Sequence, residues 1–170
     1  MGAGMVDLNA SVLPDLAGAV IARAAAAGVM LATAESCTGG MVAAALTDIA
    51  GASAVLDRGV VTYSNAAKSD LLGVPEAVLI SHGAVSAETA AAMADGALRV
   101  APDASVAIAI TGIAGPGGGT AEKPVGLVWF GLAIRGKDTM TAHHIFPGDR
   151  KAVRHQAAAM ALAMLKDGIG

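Results

Sequence analysis

The sequence predicts an α/β fold: a single three-layer α/β/α domain with a mixed, mostly parallel sheet. Three observations carry this. Strand-like apolar runs alternate with small-residue helical runs over most of the chain, the order that builds βα units and parallel pairing. Towards the end, two strand-like runs follow one another across Arg135-Gly-Lys-Asp138, a hairpin-type turn that makes part of the sheet antiparallel. Finally, 170 residues that are 55% hydrophobic but only 2% aromatic suit one domain with a core of Ala, Val, Leu, Ile and Met.

Residues 1–12 read as a tail and 13–170 as the domain. Pro14, suited to a first helical turn, opens a helix to Ala27, which Gly28 caps before a buried strand at 29–34. A small-residue helix occupies 39–49, and the β-formers Val60, Val61, Thr62 and Tyr63 mark a strand at 58–64. Asn65, a good N-cap, starts a short helix to Leu72; Ser86 starts another, with Glu88 in its first turn. Ser105–Ile110 is a buried strand, the hairpin strands span 125–134 and 139–146, and the last helix runs from Asp149 to Lys166.

Several function classes are excluded by what the chain lacks. With one Trp, one Tyr, a net charge of −3 and no basic run, it offers neither a stacking platform nor an electrostatic surface for nucleic acid. Its partner is expected to be a small molecule. Leu16–Ala34 is nearly all apolar or small, but Arg23 interrupts it and Gly18 and Gly28 punctuate it, so it reads as helix plus strand and not as a membrane span. Asp7 and Asp15 stand where a secretory signal needs positive charge, and Val6 stands where myristoylation needs Ser or Thr. One cysteine excludes an internal disulfide and fits a reducing cytoplasm. The four histidines form no metal pattern: the adjacent His143 and His144 point to opposite faces of a strand, and neither HExxH nor paired cysteines occur.

The most reactive-looking segment is Glu35-Ser-Cys-Thr-Gly-Gly40, the corner where a strand turns into a helix. A serine there projects its hydroxyl from a rigid strand end, and the glycines let N–H groups at the helix start converge on a developing negative charge. Simple capping by Ser36, Cys37 and Thr38 is the competing reading. Lys68, in the first turn of its helix, is electrostatically misplaced there, because the macrodipole favours anions. It is either solvated or held for a task that needs a lowered pKa, as a general base for a serine does. Tyr63 is a candidate for proton transfer or for stacking on a substrate ring, against plain strand packing.

Ala34–Gly40, Val61–Lys68, His82-Gly-Ala-Val-Ser86, Thr111–Gly126 and Gly148-Asp-Arg150 together resemble the CinA C-terminal-domain family, whose characterised enzymes are nicotinamide mononucleotide amidases. The match covers almost the whole chain beyond its first dozen residues. The resemblance implies a layered α/β/α domain and a serine amidohydrolase with Ser36 as nucleophile and Lys68 as its base. It favours Ser36 over Cys37, although a thiolate at a helix N-terminus would also be activated. Many members carry an additional N-terminal domain related to molybdopterin-binding proteins, and this chain looks like the stand-alone form.

The loop Gly112–Thr120 fails as a Walker loop, lacking Lys followed by Ser or Thr, and as a Rossmann loop, since it leads to a strand. It is expected instead as a rim whose N–H groups line a nucleotide pocket, placing Thr111, Gly112, Gly115 and Gly117 with Asn65 among the substrate-binding residues. Arg150 and Arg154 lie one turn apart on the last helix. A guanidinium suits bidentate phosphate contact, and Arg150 is preferred over Arg154 for that task. The expected reaction is attack by Ser36 on the nicotinamide carboxamide, with Lys68 taking its proton and N–H groups near Thr38, Gly39 and Gly40 holding the oxyanion. No cofactor is called for. A homo-oligomer is expected. The alternatives are a non-catalytic nucleotide-responsive module tied to competence or DNA repair, and a hydrolase of another amide.

Overall fold

The computed structural model describes residues 12–170. The expected tail falls outside the described residues, apart from Val12, which opens the first helix. Five strands form one sheet in the order β2-β1-β3-β4-β5. They are β1 (Met30–Glu35), β2 (Leu56–Val61), β3 (Ala104–Gly112), β4 (Leu127–Ile134) and β5 (Met140–Ile145). The helices are α1 (Val12–Ala27), α2 (Met41–Thr47), α3 (Asn65–Leu72), α4 (Glu76–His82), α5 (Ala87–Val100) and α6 (Arg150–Gly168), with a short 3₁₀ turn at Ala52–Ala54.

The sheet is mixed, as expected, but evenly so: β1 pairs parallel with β2 and β3, while β3–β4 and β4–β5 are antiparallel. Parallel pairing needs a crossover, and only the first half of the chain supplies crossover helices. After β3 the chain returns through a loop and a hairpin.

Strand alternation sorts the core into two layers. On β3, Val106, Ile108 and Ile110 face α1, α2 and α6, whereas Ala107 and Ala109 face α5. The small face brings α5 very close to the sheet. A Cβ on Gly131 of β4 would lie 2.3 Å from Ala90 O, and one on Gly96 of α5 would lie 2.2 Å from Leu72 O. Those two contacts seat α5 against β4 and against the C-terminus of α3, the helix that carries Lys68.

Two sequence expectations shift. β2 ends at Val61, so Tyr63 lies in the connector to α3 and is 60% exposed. The N-cap of α3 is Ser64, whose Oγ accepts from Ala67 N at 3.0 Å; Asn65 is the first helical residue. Serine and asparagine cap almost equally well, so the extended backbone at Ser64 decides. Helix α4 was not expected, although Pro75 followed by Glu76 is a helix-start pattern. No helix among the described residues is long and apolar enough to cross a membrane.

Candidate active site

Three parallel strands end at the same edge of the sheet, and the candidate residues stand on those ends, where ligands bind in open α/β sheets. Ser36 follows β1, Tyr63 follows β2, and Thr111 and Gly112 close β3. A cavity of about 210 Å³ opens there, lined by Ser36, Cys37, Tyr63, Asn65 and Lys68 on one side and by Thr111, Gly112 and Arg150 on the other.

At its floor Lys68 Nζ lies 3.0 Å from Ser36 Oγ and donates to Thr62 O at 2.9 Å. Lys68 is 1% exposed, among the largest fully buried side chains, and forms no ion pair among the described residues. Burial therefore lowers the pKa of its amine below the ordinary lysine value; a Cys37 thiolate would act in the opposite direction. That thiolate is not available near neutrality. Burial pushes the Cys37 thiol up to about 11, outweighing its own amide and Arg154, which lower it. This disfavours the rival reading of Cys37 as an activated thiolate, since desolvation opposes the charged form more than the helix start favours it.

Of the amides near Thr38, Gly39 and Gly40 expected to face a substrate oxygen, Gly39 N is already engaged within the turn, and the next amides along α2 are taken by Glu35. Glu35 folds its carboxyl back over that helix and accepts from Val42 N at 2.9 Å and Ala43 N at 3.0 Å. Within the turn, Gly39 N donates to Ser36 O and Met41 N to Thr38 O. The amides of Cys37, Thr38 and Gly40 keep no such acceptor among the described residues. Of these three residues only Cys37 lines the cavity.

Thr111 Oγ1 donates to Ala84 O at 2.7 Å, tying β3 to the His82–Ser86 segment. That segment, singled out in the sequence without a role, contributes Ala84 and Val85 to the cavity wall. Gly115 and Gly117 do not line the cavity; Gly117 is exposed, and Gly115 is reached only through Arg150. Arg150 donates from Nη1 to Gly115 O and from Nη2 to Tyr63 OH, both at 2.7 Å, and so bridges the mouth. Beyond it a wider groove of about 670 Å³ is lined by Gly148, Lys151, Arg154 and His155. Among the described residues no cluster of three or more His, Cys, Asp or Glu is placed to hold a metal ion.

Residues 14–169 match the family described as CinA C-terminal domain. The chain belongs to this family. It is 54% identical over 150 residues to the nicotinamide-nucleotide amidohydrolase PncC of Enterobacter agglomerans, covering 88% of this chain and 91% of that one. A CinA-like protein of Anaeromyxobacter dehalogenans is 57% identical over 155 residues, 91% of this chain but 36% of that longer protein. Among solved structures, the competence/damage inducible protein CihA of Agrobacterium tumefaciens superposes with a TM-score of 0.87 at 48% identity, covering 91% of this chain and 93% of that one. Fold and family therefore agree with the resemblance in the sequence.

Proposed function

We propose that the protein hydrolyses the carboxamide of nicotinamide mononucleotide to nicotinic acid mononucleotide and ammonia, through an acyl-enzyme on Ser36. The observation that carries this is Lys68 Nζ at 3.0 Å from Ser36 Oγ, in a setting that lowers the amine's pKa. A neutral amine has two N–H donors and one lone pair. With one N–H on Thr62 O, the lone pair is free for the serine proton.

Ser36 Oγ attacks the carboxamide carbon as its proton passes to Lys68, and the oxyanion takes the Cys37 amide. The Lys68 ammonium then protonates the leaving nitrogen, and ammonia departs as the acyl-enzyme forms. Water enters, gives a proton to Lys68 and attacks the acyl carbon, and Ser36 leaves with that proton restored. No step requires a cofactor. Arg150, with Lys151 in the groove behind it, is assigned to the 5′-phosphate; Tyr63 holds Arg150 at the mouth, and Asn65, Thr111 and Gly112 border the ring and ribose. The name of the Enterobacter relative supports the nucleotide amide as substrate. The proposal carries with it a cytoplasmic setting and a homo-oligomer.

The test is ammonia release by purified protein from nicotinamide mononucleotide, with nicotinamide riboside and free nicotinamide for comparison. Turnover of the mononucleotide well above the other two is expected. Release from none of them, or equal release from all three, refutes the proposal.

A further inference from the structure

Arg154 reaches the nucleophile corner from the far end of the sequence. Its Nε donates to Cys37 O at 2.9 Å and its Nη2 to Thr38 O at 3.1 Å. The guanidinium lies flush on Gly39, where an added Cβ would stand 3.3 Å from Nη2. Its charge is felt at the corner, since Arg154 acts to lower the Cys37 thiol even though burial prevails. These contacts turn the group away from the phosphate role considered for it in the sequence.

Two successive peptide planes are thereby fixed. Gly39 N holds Ser36 O at 3.0 Å, and Arg154 holds Cys37 O. Each peptide is a rigid plane, so pinning both carbonyls fixes the two dihedrals of Cys37 and the direction of its amide. The chain beyond is anchored independently by Glu35 on Val42 N and Ala43 N. Without Arg154, the turn between these anchors keeps its glycines at positive φ (Gly39 61°, Gly40 101°) but loses its only side-chain hydrogen bonds to backbone carbonyls among the described residues.

We propose that Arg154 is a positioning residue, holding the Cys37 amide on the forming oxyanion and adding positive potential behind it, without touching substrate. The inference rests on the reading of Ser36 as nucleophile. Removing one oxyanion donor costs about 10²–10³ in kcat, and a misplacement of about 1 Å costs about 10².

The experiment compares Arg154→Gln and Arg154→Lys with wild type by steady-state kinetics on nicotinamide mononucleotide and its riboside, and by hydrogen exchange across residues 36–41. Arg154→Gln should lose about 10- to 100-fold in kcat on both substrates with KM within about twofold, and its turn amides should exchange faster. Arg154→Lys keeps the charge and one bond, so it should recover part of the lost kcat. A rise in KM for the mononucleotide alone, with kcat kept, makes Arg154 a phosphate ligand and overturns the proposal. Unchanged exchange at 36–41 overturns it too. If wild type releases no ammonia from the mononucleotide, the substrate reading fails while the exchange comparison still decides the positioning role. If Arg154→Gln does not fold, the same kcat-against-KM split in Arg154→Lys decides it.

Discussion

Acidification should silence the protein through Lys68, and the size of the effect follows from where the amine sits. An unperturbed lysine with a pKa of about 10.4 is neutral in only about one molecule in 2,500 at pH 7. Lys68 is buried, which lowers its pKa, and the Cys37 thiol it faces stays protonated up to about pH 11 and so brings no opposing negative charge. Each unit of lowering raises the neutral fraction tenfold until the amine is mostly neutral, and costs about 1.36 kcal/mol of folding free energy. The kcat/KM profile should therefore show an acid limb with a midpoint below the free-lysine value. In Lys68→Arg the guanidinium is neutral in fewer than about one molecule in 10⁵ at pH 7, so turnover should fall by at least about 40-fold, the ratio to an unperturbed lysine, and further in proportion to the lowering of Lys68. The stability sign runs the same way. The unfolded chain binds the extra proton between the folded pKa and about 10.4, so stability rises with pH across that window. Lys68→Met, which carries no such group, should lose its stability advantage, or deepen its deficit, relative to wild type as pH rises towards 10, followed by Tm. An acid limb at or above about pH 10, or near wild-type turnover by Lys68→Arg, would refute the reasoning.

Cys37→Ser should keep substantial activity, because the thiol is protonated and only its backbone amide is used; a dead Cys37→Ser beside an active Ser36→Ala would make the protein a cysteine amidase. Arg150→Ala should raise KM for the mononucleotide by about tenfold or more beyond its effect on the riboside, since it removes a charge-assisted contact to phosphate. The riboside effect alone then reports the bridge from Arg150 to Tyr63 and Gly115, and equal effects on both substrates would remove the phosphate role. Gly131→Ala forces a Cβ to within 2.3 Å of Ala90 O, so α5 must shift. The expected loss is about 1–3 kcal/mol, a Tm lower by roughly 2–12 °C in thermal unfolding, and an unchanged Tm would show that α5 yields freely there.

Much of the layered fold was legible because hydrophobic period and turn residues are local signals. Gly28, Ser86 and Asp149 all cap where the sequence places them, with Gly28 at φ 65° and the other two accepting from amides three residues on. The even split of the sheet was less legible, since pairing direction depends on how many crossovers the chain makes. At the site, Ser36 and Lys68 were legible through residue type and resemblance, but their hydrogen bond joins positions 32 apart and no local pattern reports it. For Cys37, the helix start that would activate a thiolate is visible in sequence, while the burial that overrides it is tertiary. Glu35 was hidden because its partners, Val42 N and Ala43 N, lie seven and eight residues on, beyond the reach of a capping pattern. Arg154 was noted as a helix-face cation, yet its target carbonyls are more than a hundred residues away.

The most direct test of the account is to trap the intermediate. Wild-type protein mixed with nicotinamide mononucleotide and quenched in acid within the first turnovers, then digested and analysed by mass, should carry the nicotinoyl-nucleotide acyl group on the peptide containing Ser36. Hydroxylamine should release it as the hydroxamate, and Ser36→Ala should carry none. Because Ser36 and Cys37 share that peptide, Cys37→Ser should retain the adduct. An acyl group lost with Cys37→Ser, or undiminished in Ser36→Ala, would contradict the Ser36–Lys68 account.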